Sequence, residues 1–440
     1  MAYEYPSPLL PQSFTELLRR QPPSRPPLLT ERGEVQRKVQ KRDGSIVDHG
    51  PSGVSLIQPM RTSLLSRKWR YVWSKLPQLV FDKKFYRDLH RTTHAKLLMI
   101  IYQVLLCHRG PIIKFTLSLS GLESCSEIDQ LILFVSSDDI QDFTFCIWKG
   151  ELFKLPSSLY SCSQLKHLNL RSCMLKPPPG FEGFTRLLSL HLHEVVIADD
   201  VLSILISSCP LLEDLTVFSS TGLDSLEVVG PNLKSICFEA HVRSICFKNT
   251  SHLENVSIYL TAEGNELEIS SSVGLLDSVP EIEFLELDFC YVKGIAACGV
   301  PMRLPTTLNN LKYIMLYDIC FGQRDVVAVL ICLICSSPNL EEITIYALPN
   351  KTSAIPIVQD FVEVHVCSDV SLNQLRKVDM KNVSGTKPEL EFIKLLLAKS
   401  SMLETMLIKL NSEDVNELRI VKELTRFRRA SPLAEMKFVN

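Results

Sequence analysis

No apolar run in the sequence is long enough to cross a membrane. The longest, Val326–Cys335, holds ten residues, against the roughly 20 that a span needs. The N-terminus, Met1-Ala2-Tyr3-Glu4-Tyr5-Pro6, has no basic stretch followed by an apolar core and does not read as a secretory signal. Net charge is nearly absent. The 47 Lys and Arg against 49 Asp and Glu leave −2, a balance that speaks against a general nucleic-acid binder. A Gly-rich phosphate loop, a His-Glu-x-x-His pair and a nucleophile elbow are all missing. Neither a cofactor nor a catalytic constellation is expected. The 14 Cys lack paired spacing. Most lie in apolar stretches, such as Cys107, Cys237, Cys246 and Cys320, and read as reduced thiols of a nuclear or cytoplasmic protein. Hydrophobic residues make up 46% and charged residues 22%, which excludes collagen, coiled coil and wholesale disorder.

The charge that is there is unevenly placed. Residues 1–75 carry 13 Lys and Arg against 6 Asp and Glu, so the remainder is acidic. Residues 1–55 hold Pro6, Pro8, Pro11, Pro22, Pro23, Pro26 and Pro27 with weak apolar periodicity, and are expected to form a disordered tail. The basic run Arg37–Arg42 reads as part of that solvated tail rather than as an import signal. In Arg61–Leu76, the residues Leu64, Leu65, Trp69, Val72, Trp73 and Leu76 fall at helical spacing, with Ser63 to cap and Pro77 to stop the helix. A second helix is predicted over Ala95–Cys107.

From about residue 110 one pattern recurs: apolar-x-x-apolar-x-apolar. Four copies carry a longer consensus. They begin at Leu165, Leu187, Ile282 and Leu311, the first reading Leu165-x-x-Leu168-x-Leu170-x-x-Cys173-x-Leu175. Shorter copies begin at Ile112, Ile140, Leu212, Leu233, Leu253, Leu340, Leu375, Leu403 and Leu433, with extra ones at Leu223 and Val242. This is the leucine-rich repeat pattern. In each copy the second and third apolar residues lie two apart, so a strand turns both inward and its other residues outward. No copy buries its inward face alone; copies must stack. Cys173 and Cys290 are expected to be buried in the turns after their strands. Helices are predicted over Asp199–Ser208, Arg324–Ser336 and Glu389–Ser400. The register also sets a test. Leu287→Asp, inward, is expected to unfold the repeat, whereas charge reversal at Asp288, outward, is expected to be tolerated.

Three stretches together resemble the plant F-box/LRR/FBD family. Arg61–Asp82, ending Leu76-Pro77-Gln78-Leu79-Val80-Phe81-Asp82, resembles the second half of an F-box. The Leu-Pro-acidic opening and first amphipathic helix of the full pattern have no counterpart in Gly53–Met60. The repeats fit the middle. Leu372–Val439 resembles the FBD region, with Val383-Ser384-Gly385-Thr386-Lys387-Pro388-Glu389 and Glu423-Leu424-Thr425-Arg426-Phe427-Arg428-Arg429-Ala430-Ser431. The expected architecture is an α/β leucine-rich-repeat solenoid, an irregular horseshoe, with a small partial helical F-box at its N-terminus. Its expected divisions are a tail over 1–55, a partial F-box over 56–90, the solenoid over 91–370 and an FBD region capping it over 371–440. The resemblance implies a non-catalytic substrate receptor of an SCF-type ubiquitin ligase. Its F-box would bind a Skp-type adaptor and through it the cullin and RING subunits. Its repeats would hold an unknown protein substrate, with no nucleic acid and no membrane as partner. The alternative is a repeat scaffold that no longer engages the adaptor.

On that reading Leu64, Leu65, Trp69, Trp73 and Leu76 form the candidate adaptor contact, or else pack on the first repeats. Outward strand positions place Phe284, Tyr313, Tyr317 and Tyr346 as an aromatic cluster across adjacent strands. That cluster is the candidate substrate surface, or else strand packing. His167, His191 and His193 fall on neighbouring strands, but histidine alone in outward positions does not amount to a metal site. Cys332 and Cys335 have redox spacing inside an apolar helix and read as core.

Overall fold

The computed structural model describes residues 73–88, 93–136, 139–149, 151–221, 223, 225–240, 242, 244–260, 276, 278–297, 299, 303–348, 372–411 and 417–439. The predicted tail over 1–55 lies outside them, as do Leu64, Leu65 and Trp69. The described residues divide into two compact units, the first of those up to 165 with 169–173, the second of 166–168 with those from 174 on.

In the first unit a 3-10 turn over Trp73–Lys75 leads into β1 (Gln78–Phe81), α1 (Lys83–Asp88), α2 (His94–Cys107), β2 (Lys114–Glu123), α3 (Glu127–Ser136) and β3 (Asp142–Lys149). The three strands pair parallel in that order. Helix α2 begins one residue before its predicted start and buries Leu97, Leu98, Ile101, Val104 and Leu105 along one stripe. The inward rows are aromatic. Phe115 and Phe143 stack at 5.9 Å, and Phe81 meets Phe115 edge-on at 5.9 Å. Such pairs add about 0.5–1.5 kcal/mol beyond the area they bury.

Strand β4 (His167–Arg171) carries the division between the units. The second unit continues with β5 (Ser189–His193), α4 (Asp199–Ser207), β6 (Asp214–Ser220), β7 (Ser225–Val229), β8 (Ser235–Ala240), β9 (Ser244–Lys248), β10 (Asn255–Leu260), β11 (Phe284–Asp288), α5 (Phe289–Ala297) and β12 (Tyr313–Ile319). Then follow α6 (Arg324–Cys335), β13 (Glu342–Ala347), β14 (Lys377–Val383), α7 (Lys387–Lys399), β15 (Thr405–Leu410), α8 (Glu417–Leu424) and β16 (Glu435–Val439). Strands β5, β6, β8 and β10 to β16 pair parallel in that order. Strand–turn–helix units stacked at this spacing make an α/β leucine-rich-repeat solenoid.

The stacking follows the predicted register. Leu190, Leu215, Ile236, Val256, Leu285 and Ile314 lie side by side on successive strands, each at most 2% exposed. Burying one such side chain stabilises by about 1.5–3 kcal/mol. The backbone repeats as well. At each step one carbonyl accepts two successive N–H groups: Glu213 O from Lys234 and Ser235, Glu254 O from Glu283 and Phe284, Lys312 O from Glu341 and Glu342. At the end of the strand or just past it, Ser172, Glu194, Ser219, Asn249, Asp318 and Asn382 occupy one and the same position of their copies with positive φ, between 47° and 60°. Apart from Glu194 these are short polar residues, of which Asn and Asp in particular tolerate the left-handed region.

Three expectations need correction. In the copy beginning at Ile282 the turn position holds bulky Phe289, and the chain runs straight into α5. Cys290 is therefore helical and half-buried rather than buried in a turn, whereas Cys173 is fully buried. The extra copies at Leu223 and Val242 do form strands, β7 and β9, but these pair with each other in a separate two-stranded sheet. In the copy beginning at Leu433, that residue is 74% exposed and Met436 and Phe438 are half-buried. Strand β16 pairs with β15 and, among the described residues, with no further strand, so its inward row is covered from one side.

The FBD-like residues close the last repeats. Thr386 and Glu389 form a capping box on α7, Thr386 N and Oγ1 donating to Glu389 Oε2 at 2.8 and 2.9 Å. Ser431 Oγ donates to the Leu403 carbonyl at 2.7 Å, and Ala430 N to that of Leu397 at 2.9 Å. Gly385 holds φ +69°, and a Cβ there would meet Ile420 Cδ1 of α8 at 2.5 Å. Gly385→Ala is expected to cost roughly 1–3 kcal/mol from the left-handed strain, plus the clash. In urea denaturation the double variant Gly385→Ala/Ile420→Ala should lose less than the sum of the two single changes.

Candidate functional site

The N-terminal candidates are only partly described. Trp73 opens the 3-10 turn. Leu76 is half-buried, and its carbonyl accepts a hydrogen bond from His108 Nε2 at 2.9 Å. Arg109 N donates to the Ser74 carbonyl at 2.7 Å. These bonds tie the end of the F-box-like segment to the end of α2.

The predicted aromatic cluster separates into two rows. Phe284 and Tyr313 are register partners at the first outward position of β11 and β12; Phe284 is half-buried and Tyr313 is 40% exposed. Tyr317 and Tyr346 stand at the fifth position, four residues further along. Their rings stack at 4.5 Å and 11°. A residue not singled out from the sequence, Tyr259 on β10, completes this row, tilted at 5.7 Å from Tyr317. Its signal was present, since it holds the fifth strand position of the copy beginning at Leu253. The rings of Tyr259 and Tyr317 meet although β11 lies between their strands, two spacings of about 4.8 Å. They do so because Asp288, at that row position on β11, turns away to other partners.

Beneath the rings lies a buried carboxylate. Glu286 occupies an outward position, yet it is 1% exposed. Ser257 Oγ donates to its Oε2 at 2.8 Å. Burial, and then the charge of Glu286, push the phenols of Tyr259 and Tyr317 above the usual tyrosine range. At the far end Lys381 Nζ donates to Tyr346 Oη at 2.8 Å, lies 4.3 Å from the centre of that ring and 3.5 Å from Asp379 Oδ2. Next to it Lys377 bonds Glu342 at 2.5 Å.

Asp288 is not the free outward residue that the register implied. Its Oδ1 accepts from Tyr291 N at 2.9 Å, at the start of α5, and its Oδ2 from Leu260 N at 3.0 Å. Charge reversal there would strand two backbone donors. Burial pushes its carboxyl up to about 6, against the lowering effect of these backbone hydrogen bonds.

The histidines serve local contacts. His167 Nδ1 lies 2.9 Å from Ser189 Oγ, His191 Nε2 3.4 Å from Asp214 Oδ2, and the His193 ring stacks on Phe218 at 5.3 Å. Among the described residues no group of three or more His, Cys, Asp or Glu is placed to hold a metal ion, and no helix is long and apolar enough to cross a membrane. Cys332 is buried in α6 and its thiol is pushed up by that burial; Cys335 is half-buried. What the outward face gathers is aromatic rings, carboxylates and held ammonium groups.

Inward apolar rows and a side-chain-bearing outward face define a leucine-rich-repeat protein. The family model for FBD-associated F-box protein At5g56370, LRR repeats, matches residues 128–345. The chain is 36% identical over 417 residues to F-box/FBD/LRR-repeat protein At1g13570 of Arabidopsis thaliana, covering 92% of this chain and 99% of that protein. It is 25% identical over 417 residues to FBD-associated F-box protein At5g56370 of the same plant, covering 86% and 94%. The solved LRR protein LIC12759 of Leptospira interrogans aligns over 76% of this chain and 86% of its own, at 15% identity and a TM-score of 0.31, too low a score to carry weight. The chain belongs to the plant F-box/FBD/LRR-repeat family.

The position of Asp288 sets a pH dependence. A carboxyl whose pKa is raised on folding contributes stability that is full below its unfolded value, about 3.9, and is lost as pH rises through about 6. Asp288→Asn removes this titration. Urea midpoints measured from pH 4 to 7 should show the wild type losing stability relative to Asp288→Asn across that window; parallel curves would contradict the assignment.

Proposed function

We propose that the chain is the substrate-recognition subunit of an SCF-type cullin-RING ubiquitin ligase, working in the nucleus or cytoplasm. Leu64, Leu65, Trp69, Trp73 and Leu76 contact a Skp-type adaptor, which joins the cullin and RING subunits. Phe284, Tyr313, Tyr317 and Tyr346 form part of the surface that holds a protein substrate. The bond-forming chemistry belongs to the partner subunits. This chain supplies proximity and orientation, raising the effective concentration of the substrate. The observation that carries the reading is the joint presence of the F-box-like stretch, the repeats and the FBD-like closing residues in one chain of this family.

A second reading has its own support. Gly53–Met60 lacks the Leu-Pro-acidic opening of a full F-box. A chain without the first helix would be a repeat scaffold that holds partners but recruits no ligase.

The test is adaptor binding by the purified full chain. A Kd at or below micromolar, about −8 kcal/mol, that weakens at least tenfold in Leu64→Ala/Leu65→Ala supports the receptor. Binding only after a Leu-Pro-acidic opening and a first helix are restored ahead of Arg61 would overturn it in favour of the scaffold.

A further inference from the structure

Strand β16 is an edge of the sheet. It pairs with β15 and, among the described residues, with no further strand. Glu435 N donates to the Glu404 carbonyl on the β15 side at 3.0 Å. Backbone groups alternate sides along a strand, so the N–H and C=O of Met436 and Phe438 point the other way, to the open edge. Natural edges are blunted by charge. This strand carries one charge of each sign, two residues apart. Glu435 and Lys437 are 66% and 49% exposed and meet each other at 2.9 Å. Such an exposed pair contributes little stability and gives way readily to a new partner. Apolar groups are open as well. Leu433 is 74% and Val439 47% exposed, and the inward Met436 and Phe438 are only half-buried.

We propose that this edge takes a second copy of the chain, β16 pairing antiparallel with β16 of the other copy about a two-fold axis at Met436. The strand is complementary to itself in that register, as a two-fold contact requires. Met436 faces Met436 of the other copy as a hydrogen-bonded pair, which uses the backbone groups that point to the edge. Glu435 of each copy stands opposite Lys437 of the other, twice, at the positions where opposed side chains come closest. A slide of two residues either way keeps the edge groups facing each other, but sets Glu435 against Glu435 or Lys437 against Lys437. Charge thus selects one register. That register also covers the half-buried Met436 row and brings Val439 of each copy toward Leu433 of the other. Ala434 is partly engaged already, its carbonyl by Arg429 Nη1 at 2.8 Å and its N–H by the Ser431 carbonyl at 3.4 Å. The carbonyl keeps a second lone pair for Phe438 N–H of the other copy. The proposal is independent of the ligase reading.

One strand from each copy makes a small interface, so a dimer with a Kd of about 1 to 100 μM is expected. Sedimentation velocity of the purified full chain, run across and above that range, measures it. Lys437→Glu sets carboxylates against carboxylates and should weaken the dimer at least fivefold. The swap Glu435→Lys/Lys437→Glu restores opposite signs in the same register and should return it to within about twofold of the wild type. Met436→Pro removes the edge N–H without touching a bond to β15 and should abolish the dimer. Lys248→Glu, the same charge change on β9 at a lysine paired with Glu227, should alter it less than twofold. Urea denaturation checks that each variant folds; should Met436→Pro not fold, Lys437→Glu and the swap decide. A monomer at every concentration overturns the proposal. So does growth beyond a dimer, which marks a head-to-tail series rather than a closed pair. Association that ignores both Lys437→Glu and Met436→Pro, or a swap that restores nothing, overturns it as well.

Discussion

A short parallel strand can satisfy neither its backbone nor its apolar row by itself, and the array depends on the way neighbours supply both. Each strand brings two inward residues that stay wet unless the next copy covers them. Each also brings N–H and C=O groups that only a neighbour in register can pair. The doubly used carbonyl at the head of successive strands from β5 to β15 in the main sheet fixes that register. Lys312 O accepts from both Glu341 and Glu342, and Glu341 O does the same for Arg376 and Lys377. A slip of one residue would turn every inward leucine outward. That penalty is shared along the array, so the rows hold over widely different spacings between copies.

Once the inward rows carry the stability, the outward positions are released for other chemistry. Between β10 and β14 they hold tyrosines, carboxylates and lysines among small polar residues such as Ser257 and Thr344. The burial of Glu286 on this face is a product of its neighbours. Tyr259 and Tyr317 close over it from the two adjoining strands, with Ser257 as a hydroxyl donor from the strand of Tyr259. A buried carboxylate is tolerable only with such donors around it. The rings gain a fixed arrangement in return.

The FBD-like residues read at first as a family signature, and the structure gives each a mechanical task. Thr386 and Glu389 cap α7, Gly385 makes room for Ile420, and Ser431 ties the last turn to the Leu403 carbonyl. They fix the start of α7, the approach of α8 to the turn at Gly385 and the return of the chain beside Leu403.

The sequence by itself determined the period, the inward rows and nearly every strand, because a two-residue alternation of apolar side chains has one stable use when it recurs in tens of residues. It also determined helices α2, α4, α6 and α7 to within two residues, since their apolar stripes and flanking caps are local. Sequence was silent where the outcome depended on what stands on the next strand. Outward meant exposed for Tyr313, buried for Glu286 and engaged with backbone for Asp288, and nothing in the local pattern separates the three. Tyr259 joined the row only because Asp288 left a place between the strands. The copies at Leu223 and Val242 matched the pattern as well as others did, yet they built a sheet of their own. Periodicity tells which side of a strand is apolar. The packing of neighbouring strands decides which polar groups still meet water, and that decision belongs to the tertiary structure.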